Sequence, residues 1–257
     1  MRTILACCLT LAMGGAGLAA DTAFGGGLIV HLGCEDGTGT VALRTGPNCL
    51  VHGLAARTED VEKARAFVRS KGLYGPVSID RARGDGKLPY ADELVNLLVA
   101  RNETLAGRDE ILRVLAPGGV ARIGDKEIVK PWPKNVDEWR QHFRNADNNA
   151  VAQDDRVGPP HRIRWIADPE WSRAHLNLPS INSMVSSGGR LFTIEDWAST
   201  ELPSLPGRFS LIARDAFNGI VLWRHPLPDW QPVNCYVKFT PIQLQRQLAA
   251  IGDTVYC

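Results

Sequence analysis

The fold of the first half of the chain is decided by residues 28–39, LIVHLGCEDGTG. The first five residues form a compact, mostly apolar run, which predicts a short buried strand. The glycine-rich run that follows predicts a tight turn in which the backbone can approach a ligand closely, because glycine has no side chain to collide with it. We therefore expect a strand whose carboxyl end opens into a candidate binding loop.

Short apolar runs and helical stretches alternate through the rest of this half. The runs that predict further strands are residues 49–54, 76–80, 94–99 and 120–123. Apolar residues at helical spacing predict helices over residues 59–70 and 109–115, the second ended by Pro117-Gly118-Gly119. Strands that alternate with helices predict an α/β Rossmann-like domain with a doubly wound, mostly parallel sheet.

The character of the sequence changes near residue 130. All seven tryptophans lie after that point, in segments rich in proline and aromatic residues. Residues 130–134 predict a linker, because two prolines there disfavour regular structure. We expect an α/β domain over residues 21–129 and an all-β segment over residues 130–257.

Strand and turn patterns dominate this second segment. The runs that predict strands are residues 190–194, 209–214, 220–223 and 249–256. The pair Asn218-Gly219 between two apolar runs predicts a hairpin. The second half should therefore fold as antiparallel sheet.

The N-terminus has the composition of a secretory signal peptide over residues 1–20. Arg2 precedes an uncharged stretch, Ile4 to Leu18, and small residues crowd the positions just before Asp21. A retained N-terminal anchor is the alternative. The pattern predicts an exported protein, periplasmic or extracellular, without a transmembrane span once the signal is cleaved.

Charge and cysteine content exclude several classes of function. A formal net charge of +1 gives no reason to expect a nucleic-acid partner. Beyond the signal and the final residue, Cys34, Cys49 and Cys235 remain, an odd number without a CxxC pair. We expect buried free thiols, with a Cys34–Cys49 bridge as the alternative, and no metal site.

The glycine loop and residues 111–119, ILRVLAPGG, together resemble the class I S-adenosylmethionine-dependent methyltransferases over residues 27–124. In that family the loop holds the amino-acid end of the cofactor. The resemblance implies that Glu35 or Asp36 meets the methionine ammonium and that Asp85 meets the adenine amine. The implied cofactor-binding residues are Gly33, Glu35, Asp36, Gly37, Gly39 and Asp85.

Two departures from the family pattern argue against that cofactor. Glu35 stands at the third loop position, where the family has glycine. The second strand ends in residues 53–57, GLAAR, without the acidic residue that would grip the ribose hydroxyls. Export would also separate the domain from the cytosol, where the cofactor is made. We therefore favour a retained fold that serves as a scaffold, and interpret His31 and His52 as packing residues.

Residues 213–223 match the pattern Ala-x-Asp-x-x-x-Gly-x-x-x-Trp. We expect Asp215 to cap a turn by accepting backbone amides, Gly219 to take a positive φ and Trp223 to pack between neighbouring sheets. With Ala213, these residues resemble the blade repeat of pyrroloquinoline-quinone (PQQ) dehydrogenases. The resemblance implies an incomplete quinoprotein-type β-propeller, in the two-part layout of exported planctomycete-type proteins.

A single blade motif cannot close a propeller ring, so we expect the sequence to be part of a longer propeller protein. The leading hypothesis is an exported scaffold or binding module without its own catalysis, with an unknown protein or small-molecule ligand. One alternative is a part of a PQQ-dependent dehydrogenase-like enzyme, with PQQ held only by the full-length propeller. The other alternative is an S-adenosylmethionine-dependent methyltransferase. No catalytic residue is assigned.

Overall fold

The computed structural model describes residues 25–156, 158–159, 163–168, 181–198, 207–228, 230 and 247–257. In these residues a six-stranded sheet is followed by a four-stranded sheet and a short hairpin. The predicted signal peptide, residues 1–20, and Cys235 lie outside the described residues. Cys34 and Cys49 are both buried with free thiols.

The six-stranded sheet has the strand order β3-β2-β1-β4-β5-β6. Its strands are β1 (Gly27–Leu32), β2 (Cys49–Ala55), β3 (Val77–Arg81), β4 (Val95–Ala100), β5 (Leu115–Ile123) and β6 (Lys126–Val129). The first five strands run parallel, and β6 returns antiparallel to β5 along one edge. This order is doubly wound and reverses at β1, as the alternation of strands and helices predicts. The sequence pattern did not reveal β6.

Buried apolar clusters cover both faces of this sheet. The helices are α1 (Thr38–Ala42), α2 (Thr58–Ser70) and α3 (Arg108–Val114). On one face α2 packs Val61, Ala64 and Val68 against the sheet, and on the other α3 packs Ile111 and Val114. Because both faces are buried, the central strands are almost continuously apolar.

The loop of residues 82–94, which joins β3 to β4, covers the same face as α3. Leu88 belongs to the buried cluster on that face. Its amide donates to Oε1 of Glu110 at 2.7 Å, and the guanidinium of Arg113 donates to Asp92 at 2.6 Å. Side chains of α3 therefore hold this loop in place.

The segment around Pro117-Gly118-Gly119 differs from the prediction. The helix ends at Val114, and the three residues lie inside β5 rather than in a turn before it. The pairing register of β4 and β5 shifts between Val95 and Leu97, and Gly118 has φ +75°. A methyl group on Gly119 would lie 2.8 Å from a carbonyl oxygen of Val95. The glycines therefore form a bulge that lets the strand begin directly after the helix.

Residues 130–134 are irregular, as two prolines predict, but they are fastened to their surroundings. The amide of Lys130 donates to the Gly119 carbonyl at 2.9 Å, and Gly118 donates back to Lys130 at 2.9 Å. The Trp132 ring lies against Phe217, with ring centroids 5.9 Å apart. The segment has the irregular backbone predicted for it, and it also packs between the two sheets.

The second sheet is a four-stranded antiparallel meander with the order β10-β9-β8-β7. Its strands are β7 (Ile181–Ser187), β8 (Arg190–Asp196), β9 (Phe209–Asp215) and β10 (Val221–Pro226). A separate hairpin follows, β11 (Ala249–Ile251) and β12 (Thr254–Tyr256). The single strand expected over residues 249–256 is therefore wrong, because Gly252, at φ +55°, reverses the chain. A propeller remains a prediction.

The turn between β9 and β10 has the local geometry that its sequence predicts. Oδ1 of Asp215 accepts the amides of Phe217 and Asn218 at 2.8 and 3.0 Å, and Gly219 has φ +76°. Ala213 is fully buried. Trp223 is 39% exposed and lies 6.0 Å from the Phe192 ring of its own sheet, so its packing between blades stays a prediction.

The same turn is attached to the six-stranded sheet at the amino ends of β1 and β4, which we call the amino edge. Nδ2 of Asn96 donates to Oδ2 of Asp215 at 2.6 Å, and Nδ2 of Asn218 donates to Oδ1 of Asn96 at 2.6 Å. That Asn96 oxygen also accepts the Leu28 amide at 2.8 Å. One asparagine thus joins β1, β4 and the antiparallel sheet.

Candidate functional site

The opposite end of the parallel strands, which we call the carboxyl edge, carries the candidate site. In doubly wound sheets, ligands bind at this edge, where the strand order reverses. The loops after β1 and β4 are joined across the reversal point by an exposed ion pair, with Nη1 of Arg101 2.8 Å from Oε1 of Glu35. The edge therefore has the position expected of a ligand site.

A cavity of about 460 Å³ opens at the carboxyl ends of β1 and β2. It is large enough for a small organic molecule. Its lining residues are Gly33, Cys34, Glu35, Asp36, Ala56, Arg57, Asp60 and Lys63. The structure thus brings together three of the predicted residues, Gly33, Glu35 and Asp36, and adds charged residues from α2.

The other predicted glycines of this loop, Gly37 and Gly39, pack against neighbouring residues of the domain. Gly37 has φ +86°, and a methyl group there would lie 3.0 Å from backbone atoms of Ala64 in α2. A methyl group on Gly39 would lie 3.3 Å from the ring of His31. Gly37 therefore requires glycine where the loop packs on α2, Gly39 packs closely against a side chain, and neither lines the cavity.

The amides at the start of the loop are already used. Gly33, at φ +82°, donates its amide to the Leu54 carbonyl at 2.8 Å, and the Cys34 amide points at the same oxygen at 3.4 Å. The loop therefore joins β2 to β1, and these two amides are not free to bind a ligand.

Asp36 and Asp85 each cap their own loop. Oδ1 of Asp36 accepts the Thr38 amide at 2.9 Å, and this hydrogen bond lowers the pKa of the Asp36 carboxyl. Oδ1 of Asp85 accepts the Lys87 amide at 2.9 Å on an exposed loop. Asp85 does not line the cavity, so its predicted role toward an adenine remains a prediction.

A cation stands at the end of β2, where the resembled family carries an acid. Arg57 directly precedes α2, and its Nε and Nη2 both donate to the Asp60 carboxylate at 2.8 Å. These bonds from Arg57 lower the pKa of Asp60. The sequence pattern shows that an acid is missing here, whereas the paired cation becomes evident only in the structure.

Two donor groups on the α2 side of the cavity remain without partners. Within the described residues, Nη1 of Arg57 has no hydrogen bond and Lys63 has no ion pair. Both side chains are exposed, with 68% of the Arg57 side chain accessible. The α2 side of the cavity therefore offers positive charge to a ligand.

The Cys34 thiol in the cavity wall and the nearby His31 ring are the groups whose chemistry suits a nucleophile or a base. Burial raises the pKa of the Cys34 thiol to about 11, so the thiol stays protonated at neutral pH. His31 is buried, its Nδ1 lies 2.8 Å from the Thr40 hydroxyl, and burial lowers its pKa. The interpretation of His31 as a packing residue is confirmed.

His52 belongs to a polar group on the α3 face, outside the cavity. Its Nδ1 lies 2.8 Å from the Tyr90 hydroxyl, and its Nε2 lies 3.2 Å from Oδ2 of Asp80. Burial lowers the pKa of His52, although Asp80 opposes that shift. The group fastens the loop of residues 82–94 to β2 and β3, in agreement with a packing role.

The described part of the chain contains neither a cluster of metal-ligating side chains nor a membrane-spanning helix. There, no group of three or more His, Cys, Asp or Glu side chains is placed to hold a metal ion. None of its helices combines the length and apolar character needed to cross a bilayer.

Comparisons with known proteins give structural neighbours only. No protein-family model and no curated protein matches the chain. The solved structures similar to it include the [4+2]-cyclase SpnF, at 26% identity and a TM-score of 0.34, covering 38% of each chain. They also include a geranyl diphosphate methyltransferase in complex with SAM, at 20% identity and a TM-score of 0.34, covering 38% of this chain and 41% of that one. A third is a SAM-dependent methyltransferase from Aquifex aeolicus, at 21% identity and a TM-score of 0.33, covering 37% and 54%. The chain thus spans 38 to 54% of these proteins' lengths.

Proposed function

We propose that this chain is an exported binding module without methyltransferase activity. In this proposal the methyltransferase-like α/β domain holds a small ligand at its carboxyl edge and carries the antiparallel sheet on its amino edge. The observation that carries the proposal is the Arg57–Asp60 ion pair at the end of β2. Residues 53–57, at the end of β2 and just beyond it, contain no carboxylate, although a class I methyltransferase site needs an acceptor for the ribose hydroxyls there, and Arg57 closes this stretch.

The chemistry of that pair disfavours S-adenosylmethionine. A guanidinium only donates hydrogen bonds, so Arg57 cannot accept them from two ribose hydroxyls. The Asp60 carboxylate on the same wall already accepts one hydrogen bond from Arg57 at each of its oxygens. The cofactor also carries a positively charged sulfonium, which gains nothing from the cations on the α2 side.

The contacts of the glycine loop also disfavour S-adenosylmethionine. The amides of Gly33 and Cys34 are directed at the Leu54 carbonyl. Glu35 is paired with Arg101, and Asp36 accepts the Thr38 amide. Groups that the resemblance assigns to the amino-acid end of the cofactor therefore already have partners within the chain.

Calorimetry with S-adenosylmethionine tests the proposal on the full chain. We expect no saturable heat at millimolar cofactor and no S-adenosylhomocysteine with a panel of methyl acceptors. Unfolding in denaturant on the same sample verifies that the protein is folded. Saturable binding together with cofactor turnover would contradict the proposal.

A methyltransferase remains the second candidate, because a cavity of about 460 Å³ opens beside a glycine loop at the reversal point of the sheet. Ala56→Asp would sharpen the test, since Ala56 lines the cavity at the end of β2. If only the acid is missing, this variant gains affinity for S-adenosylmethionine. If the engaged loop also excludes the cofactor, neither form binds it.

Export and a quinoprotein-type propeller belong to the same proposal. The meander β7–β10 has the strand number of a propeller blade, and Asp215 and Gly219 give its last turn the geometry expected of the motif. PQQ chemistry would require further blades. A fusion of residues 1–20 to a reporter active only outside the cytosol tests export, and an inactive fusion that is stably produced would oppose it.

A further inference from the structure

We propose that the cavity at the carboxyl edge takes a nucleotide with a phosphorylated ribose hydroxyl, and that Arg57 and Lys63 hold the phosphate. This inference rests on the proposed binding of a small ligand at the carboxyl edge, and not on export, and it names the ligand class of that site. It differs from the ligand that the methyltransferase resemblance implies, which is a sulfonium without phosphate.

Arg57 lies close to the end of the second strand of the sheet. In doubly wound nucleotide sites, the residue near the end of the second strand faces the ribose. An acid there binds a free hydroxyl, whereas an arginine nearby accommodates a phosphate on it. Arg57 comes two residues after the end of β2 and lines the cavity. The position therefore selects for phosphate over a free hydroxyl.

Arg57 and Lys63 both have hydrogen-bond donors that no described residue occupies. Asp60 engages Nε and Nη2 of Arg57 and so fixes the plane of the guanidinium. Nη1 of Arg57 keeps its donors, and Lys63, on the next turn of α2, has no ion pair among the described residues. An arginine held by a carboxylate and a lysine without an ion pair thus present two cations to an anion on the same wall of the cavity.

Acidic and basic side chains both line the cavity. Of the acidic residues that line it, Glu35 is paired with Arg101 and Asp60 with Arg57. Among the described residues, this leaves Asp36 on the β1 loop and Lys63 on α2 as the lining charges without an ion pair, although Lys63 also contributes to lowering the pKa of Asp60. A ligand with hydroxyl or amine donors toward Asp36 and an anion toward Lys63 matches both.

Calorimetry on the full chain with adenosine 2′-phosphate, adenosine and inorganic phosphate tests the inference. We expect the ester to bind, and adenosine and phosphate alone to bind at least about tenfold more weakly, since one charge-assisted contact is worth that factor. Affinity should fall as salt is raised, because the contacts are exposed.

Variants locate the phosphate. Arg57→Gln and Lys63→Gln should each weaken the ester about tenfold, and Arg57→Lys should recover only part of that loss, because a lysine has no fork that can bind Asp60 and the phosphate at once. Lys126→Gln is the charge-matched control, because Lys126 is exposed on β6 at the far edge of the sheet. Unfolding midpoints verify that each variant is folded, and Lys63→Gln leaves the Arg57–Asp60 pair intact.

The possible contrary results distinguish the phosphate assignment, the nucleotide assignment and the proposed binding function. Equal affinity for adenosine and its phosphate would overturn the phosphate assignment and leave the binding function standing. Phosphate binding as tightly as the ester would overturn the nucleotide assignment, and ester binding that both Gln variants leave unchanged would place the ligand elsewhere. Failure of the ester to bind overturns the inference, while turnover of S-adenosylmethionine overturns the proposed function itself.

Discussion

The two edges of the six-stranded sheet use polar groups in opposite ways. At the amino edge, the Asn96 side chain bonds those of Asp215 and Asn218 at 2.6 Å each and ties two sheets together. At the carboxyl edge, the pairs Glu35–Arg101 and Arg57–Asp60 surround an open cavity, and three of these four side chains are largely exposed.

This difference separates stability from binding. Polar groups at the amino edge lie between packed elements, with Asp215 buried and Asn96 half-buried, so losing one leaves its partners short of a hydrogen bond. Exposed ion pairs contribute little to stability, because water replaces them readily. Substitutions at the amino edge should therefore lower the free energy of unfolding, and those at the carboxyl edge should change what the protein binds.

Gly119→Ala should produce the largest effect. Its added methyl group would lie 2.8 Å from the carbonyl oxygens of Ala116 and Val95, and neither backbone position can yield without breaking the bulge. We expect a loss of about 3 kcal/mol in the free energy of unfolding, measured in denaturant. Gly158→Ala is the control, because no atom lies within 4 Å of its added methyl group. Equal stability of the two variants would show that β5 tolerates a side chain there.

Asn96→Ala should cost about 2 kcal/mol, because it removes partners of Leu28, Asp215 and Asn218 at once. Asn102→Ala is the matched control at the carboxyl edge, since Asn102 bonds only within its exposed loop. A double-mutant cycle with Asp215→Ala should give a coupling of at least about 1 kcal/mol. Additive losses would mean that the two sheets are stabilised independently.

Glu110→Gln should have an intermediate, pH-dependent effect. Hydrogen bonds from Arg113, followed by the Leu88 amide, lower the pKa of Glu110 from 4.5 to about 2. The unfolded chain therefore binds more protons between these values. The stabilisation is complete above about pH 4.5 and is lost as the pH falls toward 2.

The variant should lose about 1.5 kcal/mol at neutral pH and almost nothing near pH 2, with the free energy of unfolding followed across that range. A difference that stays constant with pH would show that the Glu110 charge does not stabilise the fold.

Arg57→Gln should have the smallest effect on stability. The side chain is 68% exposed at the carboxyl edge, so we expect no measurable change in the unfolding midpoint. Arg57→Lys, which keeps the charge, should behave in the same way. A clear loss of stability in Arg57→Gln would mean that the Arg57–Asp60 pair is part of the scaffold as well as of the cavity.

Strands with nearly continuous apolar runs were predicted correctly from sequence. β1, β2 and β4 lie within one or two residues of their predicted bounds, and α2 ends before Gly72 as expected. In each case the pattern reflects burial on one or both faces, which local sequence records directly. The α/β half was therefore largely predictable.

Features set by distant contacts were missed or misplaced. Nothing near Asn96 indicates that its side chain meets Asp215, 119 positions later. β6 is short and mostly exposed, and Gly252 alone turns the expected last strand into a hairpin. Such features depend on what a strand pairs with, and a local pattern carries little of that information.

The candidate site was predictable in part. The strand and glycines located Gly33, Glu35 and Asp36, because loop position follows from the order of elements. Arg57 was noticed only as the absence of an acid, and Lys63 looked like an ordinary exposed residue of a helix. Their common role depends on the cavity, which arises from the packing of α2 beside β1.

The asparagine that joins the sheets also sets an order of assembly. Leu28 and Asn96 are 68 positions apart, and Asn96 and Asp215 are 119 apart. Contacts between such distant positions slow folding, since long loops must close before any bond forms. During synthesis, β1 and β4 can pair while the later strands are still inside the ribosome. The Asn96 side chain can bond Asp215 and Asn218 only after residues 215–218 have been synthesised.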